Sequence, residues 1–274
     1  MTNVSASLPG APLRPAAGSK RACIVVEGVD KAFQSGGQTL QALSGITFEV
    51  PEGQFATLVG PSGCGKSTLL QILGGLVPPS GGRVLIEGEP VTGPTPDKIG
   101  VMFQDAWLLP WKTALENIEF PLKLRKVPAE ERRKRAQPLL ELVGLKDFSG
   151  YFPDQMSGGM RQRVAIARSL IQEPRVLLMD EPFAALDEQT RTRMGNELLQ
   201  IWEKSGGTVV FVTHGLTEAI FLADVVFVMG ARPGRIIERI VVDLARPRTL
   251  DMIGTEAFGR LRNRIWHLIA DVQA

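Results

Sequence analysis

The sequence predicts an α/β fold in which a mostly parallel β-sheet is covered by helices. Two unbroken apolar runs, at 176–179 and 208–213, are typical of strands buried on both faces of a parallel sheet. A glycine-rich segment at 60–68 lies between a third apolar run, at 54–59, and the apolar pattern of a helix. Because this strand–loop–helix order is the unit from which such sheets are built, we expect an open α/β sheet.

Length, composition and charge set the broad class. The chain has 274 residues, 44% hydrophobic and 22% charged, which is enough to bury a full core. The net charge of +2 does not favour nucleic-acid binding, so we expect no nucleic acid among the partners. No apolar run reaches the roughly 18 residues of a transmembrane helix, and no secretory signal pattern is visible. Cys23 and Cys64 form neither a disulfide framework nor a metal spacing. We therefore expect a reduced, cytoplasmic protein.

Shorter elements flank the glycine-rich segment. Residues 113–147 have a helical pattern, in which the charge run at 129–135 indicates a solvated helix face. The strands expected from β-branched residues and turn signals are 24–26, 39–43, 46–50 and 82–86, with a turn at 35–37.

The glycine-rich segment fits the phosphate-loop pattern G-x-x-x-x-G-K-[ST] at every fixed position. Its glycines let the backbone curl so that N–H groups point at phosphates, and the helix N-terminus adds its positive dipole end. Lys66 is expected to reach the β- and γ-phosphates, and the Ser67 hydroxyl to bind Mg²⁺. A plain glycine turn is the alternative, but such a turn has no need for Lys-Ser at its end. The residues predicted to bind ATP here are Gly60, Pro61, Ser62, Gly63, Cys64, Gly65, Lys66, Ser67 and Thr68.

An acidic pair, Asp180 and Glu181, follows the apolar run at 176–179. The carboxyl ends of strands in an open α/β sheet face the ligand crevice. Asp180 is suited to hold the water shell of Mg²⁺, and Glu181 is placed to polarise an attacking water as a general base. The alternative is that two adjacent acids only cap the next helix.

Upstream of that pair, Ser157-Gly158-Gly159 precedes a helical pattern and predicts a second phosphate-binding helix start. Ser-Gly-Gly is also an ordinary loop sequence. Its place before the acidic pair makes the interpretation specific.

Over about residues 23–250 the chain resembles the ATP-binding subunits of ABC transporters. The segments that carry the resemblance are the Walker A-like loop 60–68, the Q-loop-like Val101-Met102-Phe103-Gln104, the signature-like Ser157-Gly158-Gly159, the Walker B-like Asp180-Glu181-Pro182, the D-loop-like Ala185-Leu186-Asp187 and the switch-like Thr213-His214. The resemblance implies the P-loop NTPase fold of ABC ATPases, with a mostly parallel core sheet, an antiparallel β subdomain and a helical subdomain.

The resemblance also implies residue roles. Glu181, His214 and Gln104 would be catalytic, while Ser67, Gln104 and Asp180 would hold Mg²⁺. Phe33 is similar to the aromatic residue that stacks on adenine, although a lone Phe at this place is equally typical of a core. The chain departs from the family pattern at Met156, Met160 and Gly215, where Leu, Gln and Asp are common. These departures put the rate of ATP hydrolysis in question but not the fold. His267 is expected to be a structural residue.

The domain boundaries follow from composition and from the resemblance. Residues 1–20, rich in Ala, Pro, Ser and Gly without a period, predict a disordered tail. Residues 21–250 are expected to form the ABC ATPase domain, with the helical subdomain at about 105–165. Residues 251–274 are expected to form a C-terminal helical extension.

The implied mechanism needs partners. Two copies are expected to pair head to tail, so that each ATP lies between the phosphate loop of one and the signature of the other. Integral membrane permease subunits, and indirectly a periplasmic or extracellular solute-binding protein, would complete a transporter at the cytoplasmic face of the inner membrane. The apolar segment at 105–111 is the expected permease groove; packing within the helical subdomain is the alternative.

Three segments look like the importer subgroup for nitrate, aliphatic sulfonates and taurine: Leu109-Pro110-Trp111-Lys112-Thr113, 231–236 and Arg246-Pro247-Arg248. The transported solute would bind the partners, so this chain does not identify it. A soluble ABC ATPase serving an assembly scaffold, such as one for iron–sulfur clusters, is the alternative. A regulatory module without hydrolysis would be expected to lack Glu181 and His214.

Overall fold

The computed structural model describes residues 21–35, 38–184 and 186–273. The tail predicted at 1–20 and Ala185 of the D-loop-like motif lie outside these described residues. None of the helices in the described ranges is long and apolar enough to cross a membrane.

An antiparallel sheet forms one layer of the described chain. Its strands are β1 (Ala22–Ser35), β2 (Gln38–Pro51), β4 (Gly81–Ile86) and β5 (Glu89–Pro90), in the order β2-β1-β4-β5. The strands expected at 39–43 and 46–50 are one continuous strand, β2, so the expectation of two was wrong. A register shift in the β1–β2 pairing accommodates the residues between 43 and 46, so β2 does not end there. Within this stretch the Gly45 N–H donates to Asp30 Oδ1 at 2.9 Å.

The central layer is a six-stranded sheet, counted over the described residues, with the order β10-β9-β3-β8-β7-β6. Its strands are β3 (Phe55–Val59), β6 (Ile99–Met102), β7 (Val176–Asp180), β8 (Thr208–Val212), β9 (Val225–Gly230) and β10 (Arg235–Val241). All neighbours pair in parallel except β10, which is antiparallel to β9. Residues 176–179 of β7 and every residue of β8 are buried, which confirms the expectation of strands covered on both faces.

Helices cover the central sheet, and three of them form a separate helical layer. Helix α1 (Lys66–Leu73) follows β3 directly. The helical layer consists of α2 (Ala114–Leu124), α3 (Ala129–Leu142) and α4 (Gly158–Leu170), which pack on one another. Most of the charge run at the start of α3 is exposed, as expected for a solvated face. The assignment of a helical subdomain to about 105–165 remains a prediction.

The remaining helices are α5 (Glu188–Ser205), α6 (Leu216–Leu222) and α7 (Glu256–Gln273). Helix α7 packs on α6 and β9 and buries Phe258 and Ile265. His267 lies on its exposed side.

Two arginines of the sequence Arg246-Pro247-Arg248 close the carboxyl end of α6. Arg248 Nη1 donates to the carbonyls of Ile220 at 2.9 Å and Phe221 at 2.8 Å, and Arg246 Nη2 donates to Leu222 O at 2.8 Å. Burial lowers the pKa of Arg248 to about 10. A cation at the carboxyl end of a helix is favourable because it meets unpaired carbonyls and the negative dipole end. This segment therefore has a structural role.

Candidate functional site

The phosphate-binding loop curls between β3 and α1 because its glycines adopt backbone angles that other residues avoid. Gly63 has φ 76° and Gly65, which precedes the first residue of α1, has φ 93°. Gly60 meets a different demand, since a Cβ there would lie 2.5 Å from the carbonyl oxygen of Met229. The loop thus needs glycine for its curvature at two positions and for close packing at the third.

Lys66 folds back over the loop. Its Nζ donates to the carbonyl oxygens of Gly60 at 2.9 Å and Pro61 at 3.1 Å, and the side chain is buried. Cys64 is fully buried beneath the loop, and burial raises the pKa of its thiol. A neutral thiol in this place acts as a small filler. Lys66 provides the positive charge inside the curl.

The back of the loop rests on residues distant in sequence. Gly234 N donates to Ala42 O at 2.9 Å, and Gly234 O accepts from Ser44 N at 2.9 Å. A Cβ at Gly234 would lie 2.2 Å from Cys64 O. The segment before β10 and the strand β2 therefore meet directly behind the phosphate-binding loop.

Two predicted metal ligands are in contact. Ser67 Oγ donates to Asp180 Oδ1 at 3.0 Å, which joins the start of α1 to the carboxyl end of β7. Burial raises the pKa of Asp180, the Ser67 hydroxyl lowers it, neighbouring Glu181 raises it and Lys66 lowers it. A hydroxyl and a carboxylate are oxygen donors that suit Mg²⁺. The described residues hold no cluster of three or more His, Cys, Asp or Glu that would form an all-protein metal cage.

The predicted base and the predicted switch histidine are also in contact. Glu181 Oε2 lies 3.0 Å from His214 Nδ1, across the ends of β7 and β8. The Glu181 backbone has φ 43°, a left-handed conformation, and its N–H donates to Val212 O at 3.0 Å. A non-glycine residue in this conformation stores strain, which is common at functional sites. The left-handed backbone, its hydrogen bond to Val212 O and the contact with His214 together determine where the Glu181 carboxylate points.

Behind the histidine lies a carboxyl that the sequence analysis did not identify. Glu218, in the first turn of α6, accepts a hydrogen bond from Thr213 Oγ1, and Thr213 Oγ1 accepts from Gly215 N at 2.9 Å. Burial raises the pKa of Glu218 to about 7, while Thr213, Arg191 and His214 counteract this. Gly215, where the family commonly has Asp, therefore donates to the hydrogen-bonded pair that Thr213 and Glu218 form beside His214.

Gln104 follows β6, and its side chain is exposed. Its carbonyl oxygen accepts from Gln162 Nε2 at 2.9 Å, and the same nitrogen donates to Pro182 O at 2.5 Å. The sequence analysis did not identify Gln162. The sequence did contain a signal for a special role of Gln162. The residue lies on an apolar face of α4, which buries residues 162, 165, 166 and 169.

The signature-like residues are at the start of α4. Ser157 is the N-cap, and its Oγ accepts from Met160 N at 3.3 Å. Ser157 and Gly158 are exposed, and Gly159 is half-buried. Among the described residues, no hydrogen bond links 157–159 to the phosphate-binding loop. The predicted nucleotide ligands are thus in two groups, one at the loop and one at this helix start.

Residues 43–184 match the family described as ABC transporter. The chain belongs to this family. An uncharacterised ABC transporter ATP-binding protein of Methanocaldococcus jannaschii is 49% identical over 246 residues, which cover 90% of this chain and 91% of the relative. The taurine import ATP-binding protein of Rhizobium johnstonii is 49% identical over 210 residues, or 77% and 80%. The aliphatic sulfonates import ATP-binding protein of Bacillus cereus is 42% identical over 242 residues, or 88% and 94%.

A solved structure described as a dimeric post-hydrolysis state of an ATP-binding cassette, bound to ADP and Pi, is similar to this fold. It has a TM-score of 0.73 and 35% identity, and the match covers 81% of this chain and 100% of that chain. The predicted ABC ATPase fold is therefore confirmed.

Phe33, which the family resemblance places beside adenine, is 39% exposed on the β1–β2 hairpin. Lys31 Nζ lies 5.0 Å from the centroid of its ring and donates to Pro78 O at 2.7 Å. The exposure contradicts the alternative that Phe33 is a core residue. Stacking on adenine remains a prediction.

The apolar segment after the Q-loop divides into exposed and half-buried residues. Trp107 is 71% and Trp111 is 70% exposed, whereas Leu108 is half-buried against the core and Leu109 is half-buried. Arg168 fixes the segment, because its Nη1 donates to Trp107 O at 2.8 Å. The two tryptophans are therefore the large apolar groups that this segment presents to solvent, whereas Leu108 packs against the core. Contact of the segment with a permease stays a prediction.

Proposed function

We propose that this chain is the ATP-hydrolysing subunit of an importer for a small anionic solute of the nitrate, aliphatic sulfonate or taurine type. The observation that carries the ATPase proposal is a pair of contacts at the ends of neighbouring strands. Ser67 Oγ lies 3.0 Å from Asp180 Oδ1, and Glu181 Oε2 lies 3.0 Å from His214 Nδ1. The relatives that are named for taurine and aliphatic sulfonate import support the solute class.

The phosphate-binding loop and Lys66 bind the phosphates of the substrate ATP in this proposal. Lys66 now donates to two loop carbonyls, Gly60 O and Pro61 O, so its ammonium is already inside the curl that receives the β- and γ-phosphates. The backbone N–H groups at the start of α1 add the positive end of the helix dipole. Exposed Phe33 stacks on the adenine.

Ser67, Asp180 and Gln104 are the residues that would hold Mg²⁺. A bound Mg²⁺ supplies neutralisation of the charge on the β- and γ-phosphates. Glu181 orients the attacking water and accepts its proton, since a general base works from within hydrogen-bond reach of the proton it takes. His214, with a proton on Nδ1, donates to Glu181 and keeps that carboxylate directed at the water.

The remaining parts of the site come from a second copy. The exposed helix start at 157–159 binds the γ-phosphate of ATP held by the partner copy, in a head-to-tail dimer with two equivalent sites. The similar dimeric cassette supports this arrangement. Permease subunits receive the motion at the segment with Trp107 and Trp111, on the cytoplasmic face of the cell membrane, and a solute-binding protein delivers the solute to them.

The substitution Glu181→Gln tests this function. We expect turnover to fall by roughly 10²-fold or more, because the general base is lost, while ATP affinity stays within about twofold. The variant should accumulate as an ATP-bound dimer in size-exclusion chromatography. Glu130→Gln on the solvated face of α3 is the control and should keep wild-type turnover. A Glu181→Gln variant with half of the wild-type turnover would contradict the assignment.

The alternative function is a soluble ATPase of an assembly scaffold. It shares the catalytic residues, so turnover does not separate the two. Recovery of the tagged chain from cells does: an importer subunit sediments with membranes together with permease subunits, whereas a scaffold ATPase stays in the supernatant with soluble partners.

A further inference from the structure

One buried side chain, Gln162, links its own helix to two other segments of the nucleotide site. It belongs to α4, which begins at the signature-like residues, and it is 4% exposed. Its Nε2 donates to Gln104 O at 2.9 Å and to Pro182 O at 2.5 Å. Gln104 follows β6 and Pro182 follows Glu181, so the two accepting carbonyls lie beyond the carboxyl ends of adjacent parallel strands.

The two accepting carbonyls belong to irregular backbone. Gln104 lies two residues beyond the end of β6, and Pro182 follows Glu181, whose φ of 43° is left-handed. Pro182 has no N–H of its own with which to anchor this turn. The hydrogen bonds from Gln162 therefore fix backbone next to both the predicted metal-sensing glutamine and the predicted base.

Fold stability alone does not explain a glutamine at this position. Gln162 Oε1 is buried without a hydrogen-bond partner, which costs free energy because a polar atom has left water. A methionine has similar length and would fill the same space without that orphan. The other buried residues of α4 are Val164, Ala165, Ile166, Ala167 and Ser169. The polar one among them, Ser169, bonds back to Ile166 O at 2.7 Å within the helix.

We infer that Gln162 is a positioning residue that ties the signature helix start to Gln104 and Glu181 of the same subunit. The inference rests on the proposed function, in which the start of α4 touches the ATP held by the partner copy. Ser157 and Gln162 are separated by roughly 7 Å along one helix axis, at about 1.5 Å per residue, so they move together. A shift of α4 on nucleotide contact then moves two catalytic groups in the subunit's own site. Gln162 thereby links the two ATP sites of the dimer.

The test compares Gln162→Met with Ser169→Ala. Both substitutions remove a buried hydrogen-bonding group from the same face of α4, but only the first touches the nucleotide site. We expect Gln162→Met to lower kcat on the order of 10- to 100-fold, since small misplacements of catalytic groups have effects of this size. The affinity for ATP should stay within about twofold of wild type. Ser169→Ala should keep wild-type kcat, even if its Tm falls.

A double-mutant cycle with Gln104→Ala separates positioning from general destabilisation. If Gln162 acts through Gln104 and Glu181, adding Gln162→Met to Gln104→Ala lowers kcat by a smaller factor than in the wild type. Wild-type kcat in Gln162→Met overturns the inference. The inference is also overturned if the factors by which Gln162→Met and Gln104→Ala lower kcat simply multiply in the double variant, and if the loss of kcat follows the fall in Tm. In either case an active wild type and an inactive Glu181→Gln leave the proposed function standing, whereas a wild type without ATPase activity ends both.

Discussion

The phosphate-binding loop and the signature-like helix start are both predicted to contact phosphate, but only the loop is largely enclosed by its own chain. In the loop, Cys64 and Lys66 are buried, and Gly60 packs against Met229. At the helix start, Ser157 and Gly158 are exposed, and the hydroxyl of Ser157 caps its own helix. The first region is buried by long-range packing, whereas the second is open to solvent at Ser157 and Gly158. A site made of both is complete only when another surface covers the exposed half.

The largest expected effect comes from a change in the phosphate-binding loop, which is the buried half of this comparison. Lys66→Ala removes the cation inside the loop, and we expect affinity for a fluorescent ATP analogue to fall on the order of 100-fold, because several charge-assisted hydrogen bonds to phosphate are lost. Lys134→Ala, on the exposed face of α3, is the control and should bind normally. Unchanged affinity in Lys66→Ala would require the phosphate-loop assignment to be withdrawn.

The next largest effect comes from a change at the exposed start of α4. Ser157→Arg places a bulky cation at the helix start, so each monomer should bind ATP normally while ATP-driven dimerisation and hydrolysis are lost. Ser157→Ala removes only the cap, which costs about 1 kcal/mol, and should retain much of the turnover.

Mixing Ser157→Arg with Lys66→Ala sharpens this comparison. In a head-to-tail dimer one of the two mixed sites combines an intact loop with an intact helix start, so mixed dimers should form with ATP. Wild-type-like dimers of Ser157→Arg alone, together with no mixed dimers, would contradict the head-to-tail arrangement.

A smaller effect concerns the exposed tryptophans beside the Q-loop. Replacing Trp107 by Asn and Trp111 by Ser should leave the ATPase activity of the isolated subunit within about twofold and lower its recovery with membranes several-fold, since large aromatic side chains dominate interface energies. Asn suits position 107, where φ is 43°. Trp266→Ser on α7 is the matched control, because Trp266 is 62% exposed elsewhere on the surface. Equal losses in both variants would mean that exposure of tryptophan, and not this segment, matters.

The smallest effect concerns stability and pH. The pKa of Glu218 is raised from 4.5 to about 7, so the charged carboxylate destabilises the fold increasingly as pH rises from about 4.5 to 7 and fully above that. Glu218→Gln removes the penalty. Relative to wild type, its free energy of unfolding should therefore gain about 2 kcal/mol more at pH 8.5 than at pH 5.5. Arg191, His214 and Glu181 are the charged groups that act on Glu218. Denaturant unfolding at both pH values measures the gain, and a pH-independent difference would refute it.

Sequence patterns predicted the local parts of this molecule well. The strand before the loop, the helix after it and the two buried strands follow from short-range patterns, and β3 and β8 are buried throughout. The continuity of β2 was missed, because a register shift against β1 accommodates the residues between 43 and 46 without ending the strand. Exposure of Phe33 was left open by the sequence, since a lone aromatic residue has no periodicity to place it.

Long-range hydrogen bonds were beyond the reach of sequence patterns. Gln162 meets Gln104 and Pro182, and Glu218 meets Thr213, only after the strands and helices have packed. A polar residue on an apolar helix face was the one visible sign for Gln162. Arg246 and Arg248 are the opposite case. The sequence around them resembles a subgroup of importers, whereas in the structure their side chains donate hydrogen bonds to the last carbonyls of α6.

The close packing of Gly234 behind the loop bears on how the protein is made. During synthesis, residues 60–68 leave the ribosome long before residue 234, and β3 lacks its neighbours β8 and β9 until residues 208–230 have followed. Pairings of such high sequence separation form late and slowly. A nascent chain that stopped after residue 184 would carry the loop and the acidic pair, yet neither strand that borders β3. The loop therefore gains its full packing only after the two strands that border β3, and Gly234 behind the loop, have been translated.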